Sequence, residues 1–260
     1  MRITFILIIC LTIYSSTCVE QKNNHNKDMK LIKLKEDNVV MIKGEINSVN
    51  TPKILSQLFS MKSDDIYIYL TTPGGSVIDG FQIIEAINTL KLLGKNIYCI
   101  GDIANSMGFS ILQACPVRYV RPNSIIMQHQ TSLAIEGPLE HIKTRFEFIG
   151  EIEKELVDSQ AKRLNMSKEQ FEKKILSDWW IYGGNAVAIN AADELVNIFC
   201  DFDFENKTIT QEIPTIFGDI IIHYSTCPLI RDPLSIDINF GYDFDKETLD
   251  NIKEKYLKFI

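Results

Sequence analysis

The chain has 260 residues, 45% apolar and 23% charged, which suits one α/β domain with a real core and an appendage, or two small domains. Its net charge of −7 is spread over both halves without a Lys/Arg block. That excludes nucleic acid as an expected partner, because phosphate binding needs a basic face.

Residues 1–18 differ from the rest. Arg2 precedes an uncharged apolar run over 3–14, then Ser15, Ser16 and Thr17, the pattern of a secretory signal peptide. The run is short for a bilayer-spanning helix. Export, periplasmic or secreted, is the expectation, with a membrane anchor or an organelle address as alternatives. Residues 19–37 are polar and rich in Asn and Lys, and are expected to be a linker.

From residue 38 to 200, strand and helix patterns alternate. Short β-former runs occupy 39–42 and 66–70, with Ile54, Leu55, Leu58 and Phe59 at helical spacing between them. A long helix is predicted over 77–93, ended by Gly94. A strand at 97–100, a short buried helix at 107–114 and two strands at 117–120 and 124–127 follow. Leu139, Ile142, Phe146, Ile149, Ile152 and Leu156 predict an amphipathic helix, and Ser167 with Gln170 forms a capping box for the next. Strand–helix–strand alternation predicts a mostly parallel sheet covered by helices.

From 201 to 260 the texture changes to Asp/Phe alternation punctuated by Pro214, Pro228 and Pro233. A strand is predicted at 220–224 and a charged helix at 246–259. The extension is too apolar for a disordered tail and is expected to pack on the catalytic domain or on a neighbouring subunit. Cys200 and Cys227 are the more plausible disulfide pair; Cys99 and Cys115 read as buried thiols. With no CxxC pair, zinc is not expected.

Three motifs carry chemistry. Thr72-Pro73-Gly74-Gly75-Ser76 follows a strand and opens a helix, so its N–H groups lie at a positive helix end. The run lacks the features of a phosphate loop. Asn105-Ser106-Met107-Gly108 sets a serine at a helix start. Met127-Gln128-His129-Gln130 closes a strand with a histidine. Each has an ordinary explanation: a β–α turn, a helix N-cap, a core histidine. In this order they supply oxyanion donors, a nucleophile and a base, the parts of an acyl-transfer site. Asp178, before Trp179-Trp180, is a candidate carboxylate buried against aromatics, or simply a solvated loop residue.

These runs, with Arg121-Pro122-Asn123-Ser124 and Ala186-Val187, resemble the proteolytic subunit of the Clp protease family (ClpP-like) over 39–199. The resemblance implies a crotonase-like α/β fold of repeated βαβ layers with a protruding handle helix, here with a small C-terminal extension. It implies serine endopeptidase activity on peptides or unfolded proteins through a Ser–His–Asp triad: Ser106 nucleophile, His129 base, Asp178 orienting the base. Gly75 and Met107 become the oxyanion donors, and Gly75, Ser76 and Val77 the strand along which substrate lies. The 139–156 helix resembles the handle that joins two heptameric rings, so a homo-oligomer is expected, with no cofactor and no metal.

The chain departs from the family pattern in four places. Only the 19–37 segment precedes the first expected strand, leaving an ATPase partner open. Leu176-Ser177 replace a charged pair before Asp178. Thr131 stands where proline follows His-Gln. The leader and the extension are additional. Two other readings therefore stay open: a catalytically weak or inactive pseudo-subunit or scaffold, and an acyl-CoA hydratase or isomerase of the same fold. The Ser106, His129 and Asp178 set disfavours the second.

Overall fold

A seven-stranded, mostly parallel sheet organises the chain. The computed structural model describes residues 29–205, 207–216, 218–240, 247–248 and 251. The expected signal peptide, the first ten residues of the expected linker and almost all of the 246–259 helix lie outside the described residues.

In chain order the strands are β1 (Lys30–Leu34), β2 (Val39–Lys43), β3 (Asp65–Thr72), β4 (Asn96–Asn105), β5 (Val117–Gln128), β6 (Trp179–Tyr182) and β7 (Glu194–Cys200). They lie in the order β1-β7-β5-β4-β3-β2, all parallel, with β6 antiparallel to the outer half of β5. Helices α1 (Thr51–Ser60), α2 (Val77–Leu92) and α3 (Met107–Ala114) are the crossovers. The rest are α4 (Leu139–Arg163), α5 (Lys168–Ile175), α6 (Asn185–Ala188) and α7 (Phe202–Glu205).

The elements follow from local chemistry. Ile66, Ile68, Tyr69 and Leu70 of β3 are fully buried, as expected of a strand covered on both faces. The α2 N-cap is Ser76, whose hydroxyl accepts from Asp79 N at 3.3 Å, and Ile83, Ile87 and Leu90 form its buried stripe. Every residue of α3 from Met107 to Gln113 is buried, so this helix is enclosed by core rather than amphipathic. The capping box predicted at Ser167 and Gln170 forms at the start of α5. Arg118 is 1% exposed and is satisfied by Asp193, Gln113 Oε1 and Asn190 O. Burial alone would raise the Asp193 carboxyl, but hydrogen bonds and charge from Arg118 hold it below its ordinary value.

Four expectations need correction. Residues 30–34, expected within the linker, form edge strand β1 against β7, because Ile32 and Leu34 alternate inward between lysines. Two inward positions are too few to read as a strand from sequence. The strands expected at 117–120 and 124–127 are one strand with an irregularity: Gly101 pairs with Val120, but Ile103 pairs with Ile125. Ser124 fills that step, its hydroxyl donating to Gly101 O at 2.5 Å and accepting from Arg121 N at 2.7 Å. Cys99 and Cys115 are joined as a disulfide rather than being separate thiols, because the β4–α3–β5 crossover returns Cys115 to within 5.9 Å of Cys99, Cα to Cα. Finally, α4 extends to Arg163, and only Val157, Gln160 and Ala161 of it are buried. Its first half projects with Leu139, Phe146 and Phe148 exposed.

Beyond residue 200, strands β8 (Thr208–Thr215), β9 (Gly218–Ser225) and β10 (Ser235–Phe240) form an antiparallel sheet in the order β10-β9-β8. The Cys200–Cys227 disulfide ties it to the end of β7. Phe204, Cys227 and Leu229 join an apolar cluster with Leu34, Tyr69 and Ile100 of the main sheet.

A charged clamp sits beside that cluster. Asp102, at the β4 register step and 1% exposed, accepts from Arg121 Nη1 at 3.2 Å. Its other oxygen accepts from Arg231 Nη2 at 2.5 Å and Nε at 3.1 Å. Arg121 Nη1 also donates to Tyr69 OH at 3.1 Å. Burial, reinforced by the Asp102 charge, pushes the Tyr69 phenol far above its usual value.

Arg231→Ala leaves the Asp102 carboxylate with one cation instead of two. The expected loss is about 1–3 kcal/mol, the penalty of an underpaired buried acceptor. Urea unfolding with both disulfides intact measures it, and an unchanged midpoint contradicts the clamp.

Candidate active site

Ser106 and His129 meet because β4 and β5 run parallel in a fixed register. Asn105 pairs with Met127, and Ser106 N donates to Met127 O at 2.8 Å. The serine therefore leaves the end of β4 beside the strand that ends in the histidine. His129 Nε2 lies 2.9 Å from Ser106 Oγ, and both residues are half-buried. That is hydrogen-bond contact between a hydroxyl and an imidazole, the arrangement that a nucleophile and its base require.

Ser106 adopts φ 53° and ψ −117°, unusual for a non-glycine residue. Its side chain does not cap α3. The ordinary N-cap explanation of this serine is thus replaced by a strained strand-to-helix elbow that presents Oγ to His129. No glycine marks the strain, so the sequence carried no signal of it.

The glycine turn closes the other side. Gly74 has φ +102°, and a Cβ there would sit 2.7 Å from Asn105 O and from Ser106 Cβ, and 3.0 Å from Met107 N. Gly75 has φ +142°, and a Cβ there would fall 2.2 Å from Ile46 O. Both positions need glycine for conformation and for space. Ile46 N donates to Gly74 O, and Ser76 N donates to Ile46 O, each at 2.8 Å. That one-residue parallel bridge takes up one side of the turn and turns the Gly75 N–H to the other. Met107 is the first residue of α3, so its N–H has no intrahelical partner. Among the described residues neither N–H is hydrogen-bonded. Of the expected substrate strand Gly75-Ser76-Val77, the Ser76 N–H is engaged by Ile46 and the Ser76 hydroxyl caps α2.

Of the two readings of Asp178, burial against aromatics and a solvated loop, the structure shows the second. It is exposed and, among the described residues, accepts no hydrogen bond. The aromatic side chains pack elsewhere: Trp179 lies against Phe109 and Phe171, and Trp180 is exposed. The β5–β6 ladder ends at the Gln128–Trp179 pair, and His129 and Asp178 are the next residues of the two chains beyond it.

The backbone around His129 is held from two further sides. Gln130 N donates to Ile175 O at 3.1 Å, at the end of α5. His129 N donates to Gln128 Oε1 at 3.2 Å. Among the described residues no group of three or more His, Cys, Asp or Glu side chains converges as a metal site.

The family model described as Clp protease matches residues 21–198. The chain is 27% identical over 187 residues to a curated protein of Borrelia garinii subsp. bavariensis named ATP-dependent Clp protease proteolytic subunit. That match covers 69% of this chain and 95% of the relative. With the parallel sheet, the handle helix and a serine–histidine pair at the ends of β4 and β5, the chain belongs to the Clp protease family.

Proposed function

We propose that the chain is a serine endopeptidase acting on peptides or unfolded proteins. The observation that carries this reading is the 2.9 Å contact from Ser106 Oγ to His129 Nε2 at a strained serine. Membership of the family supports peptide-bond hydrolysis as the reaction.

In the acylation step, Ser106 Oγ attacks the scissile carbonyl carbon and its proton passes to His129 Nε2. Negative charge develops on the carbonyl oxygen, and the N–H groups of Gly75 and Met107 are its donors. One such donor typically contributes about 3–4 kcal/mol of barrier lowering. His129 then returns the proton to the leaving amine, and water hydrolyses the acyl-enzyme by the same relay. Asp178, which like His129 lies directly beyond the end of the β5–β6 ladder, orients the ring when its side chain turns inward.

Assembly belongs to the same proposal. Leu139, Phe146 and Phe148 on α4, with Leu176 beyond α5, present exposed apolar surface on the projecting part of the subunit. A second copy covering it in stacked heptameric rings would hold Asp178 and the loop after His129 in register. Export by residues 1–18 is the compartment we propose.

The exposed Asp178 is the one observation that favours a weak or inactive subunit. A fluorophosphonate probe decides, since it labels only an activated serine. Wild type labels and Ser106→Ala does not; an unlabelled wild type selects the inactive reading. Ser106→Gly also abolishes labelling but relieves the positive-φ strain, raising stability by about 1 kcal/mol in urea unfolding. A glycine variant no more stable than the alanine variant contradicts stored strain at the elbow.

Phe146→Asp places a charge in the proposed contact. Native mass measurement should show loss of the oligomer, with hydrolysis lost in step. An oligomeric, fully active variant rules out α4 as the assembly surface.

A further inference from the structure

Three buried polar side chains lie between the helix of the nucleophile, the strand of the base and the handle helix. Gln128 on β5 is 6% exposed, Gln160 on α4 is 3% and Ser110 on α3 is 5%. Gln128 Nε2 donates to Gln160 Oε1 at 2.6 Å and to Ser110 Oγ at 3.3 Å. Gln160 Nε2 donates to Leu156 O at 3.1 Å, which fixes its amide with Oε1 toward Gln128. Gln128 Oε1 accepts the backbone N–H of His129 at 3.2 Å. Every polar atom of the Gln128 amide is thereby used.

Burying two carboxamides is unfavourable unless they are satisfied, and an apolar residue would fill the same space without that requirement. A fully satisfied network instead selects one arrangement of the elements that carry it. This network ends on the backbone of the base. Gln160 sits where α4 enters the core, immediately beyond the projecting half with its exposed apolar residues.

We propose that Gln128 is a positioning residue for His129, and that through Gln160 it makes the placement of the imidazole depend on the seating of α4. This rests on the peptidase reading. A shift of α4 on its partner moves Gln160 Oε1 and, through a 2.6 Å hydrogen bond, the Gln128 amide that holds His129 N. The base is then displaced from Ser106 Oγ without any change in the groups that contact substrate. Neither glutamine touches the reacting atoms.

The test is Gln160→Met, which keeps the side-chain length and removes the acceptor. A displacement of order 1 Å at a catalytic group costs roughly 100-fold in rate. The expected result is therefore a fall of about 10- to 100-fold in kcat, with KM within about twofold and the native mass unchanged. The rate of fluorophosphonate labelling should fall in parallel, and the His129 imidazole resonances should shift. Unchanged kcat and resonances overturn the proposal. So does a loss of activity that only follows the unfolded fraction measured on the same sample. If Gln160→Met does not fold, Gln128→Leu is read by the same three measurements. Failure here is separable from failure of the peptidase reading: in the second case the fluorophosphonate does not label the wild type, and in the first it does.

Discussion

The parallel pairing of β4 with β5 is the constraint on which the site depends. Both strands end at the same end of the sheet, one into Ser106 and the other into His129. The Asn105–Met127 pair and the hydrogen bond from Ser106 N to Met127 O fix how far each chain has run when it leaves the ladder. A slip of one residue would turn every side chain of the strand to the other face. Burial of β4 on both faces, with Ile97, Cys99, Ile100 and Ala104 each packed in the core, holds the register against that slip. The Ser106–His129 contact is thus a consequence of sheet packing far larger than itself. The strain at Ser106 is sustained by the same enclosure.

The irregularity within that pairing lies where the extension attaches. Between Gly101 and Ile103 the β4 residue Asp102 is skipped by the ladders on both sides. Irregularities of this kind commonly re-aim a strand next to a functional site. Here the skipped residue is a buried carboxylate held by Arg121 from β5 and by Arg231 from beyond β9. The Cys200–Cys227 disulfide and the apolar contacts of Phe204 and Leu229 keep Arg231 in place. Added residues and core strand therefore share one electrostatic centre, four positions upstream of Ser106.

Much of the candidate site was legible because its pieces are local. The glycine turn after β3, the serine opening α3 and the histidine after β5 each sit at the edge of a strongly patterned element. Other features depend on pairing between distant segments, which no local pattern records. Strand β1 shows only Ile32 and Leu34 inside a lysine-rich stretch, and its existence depends on β7 offering an edge. The Asp102 clamp needs Arg231, 129 residues away. Gln128 and Gln160 are unremarkable as isolated glutamines and gain meaning only when α4 folds back over α3. At Asp178 the sequence left burial against aromatics and a solvated loop open, and the residue is exposed, with Trp179 turned into the core and Trp180 outward.

The most direct measurement of the central claim is the crystal structure of the phosphonylated protein. The account predicts a covalent bond from Ser106 Oγ to phosphorus. It also predicts the phosphonyl oxygen within about 2.7–3.1 Å of the N–H groups of Gly75 and Met107, where a developing oxyanion would sit. A phosphonyl group on another residue, or on Ser106 with its oxygen directed to solvent, would contradict it.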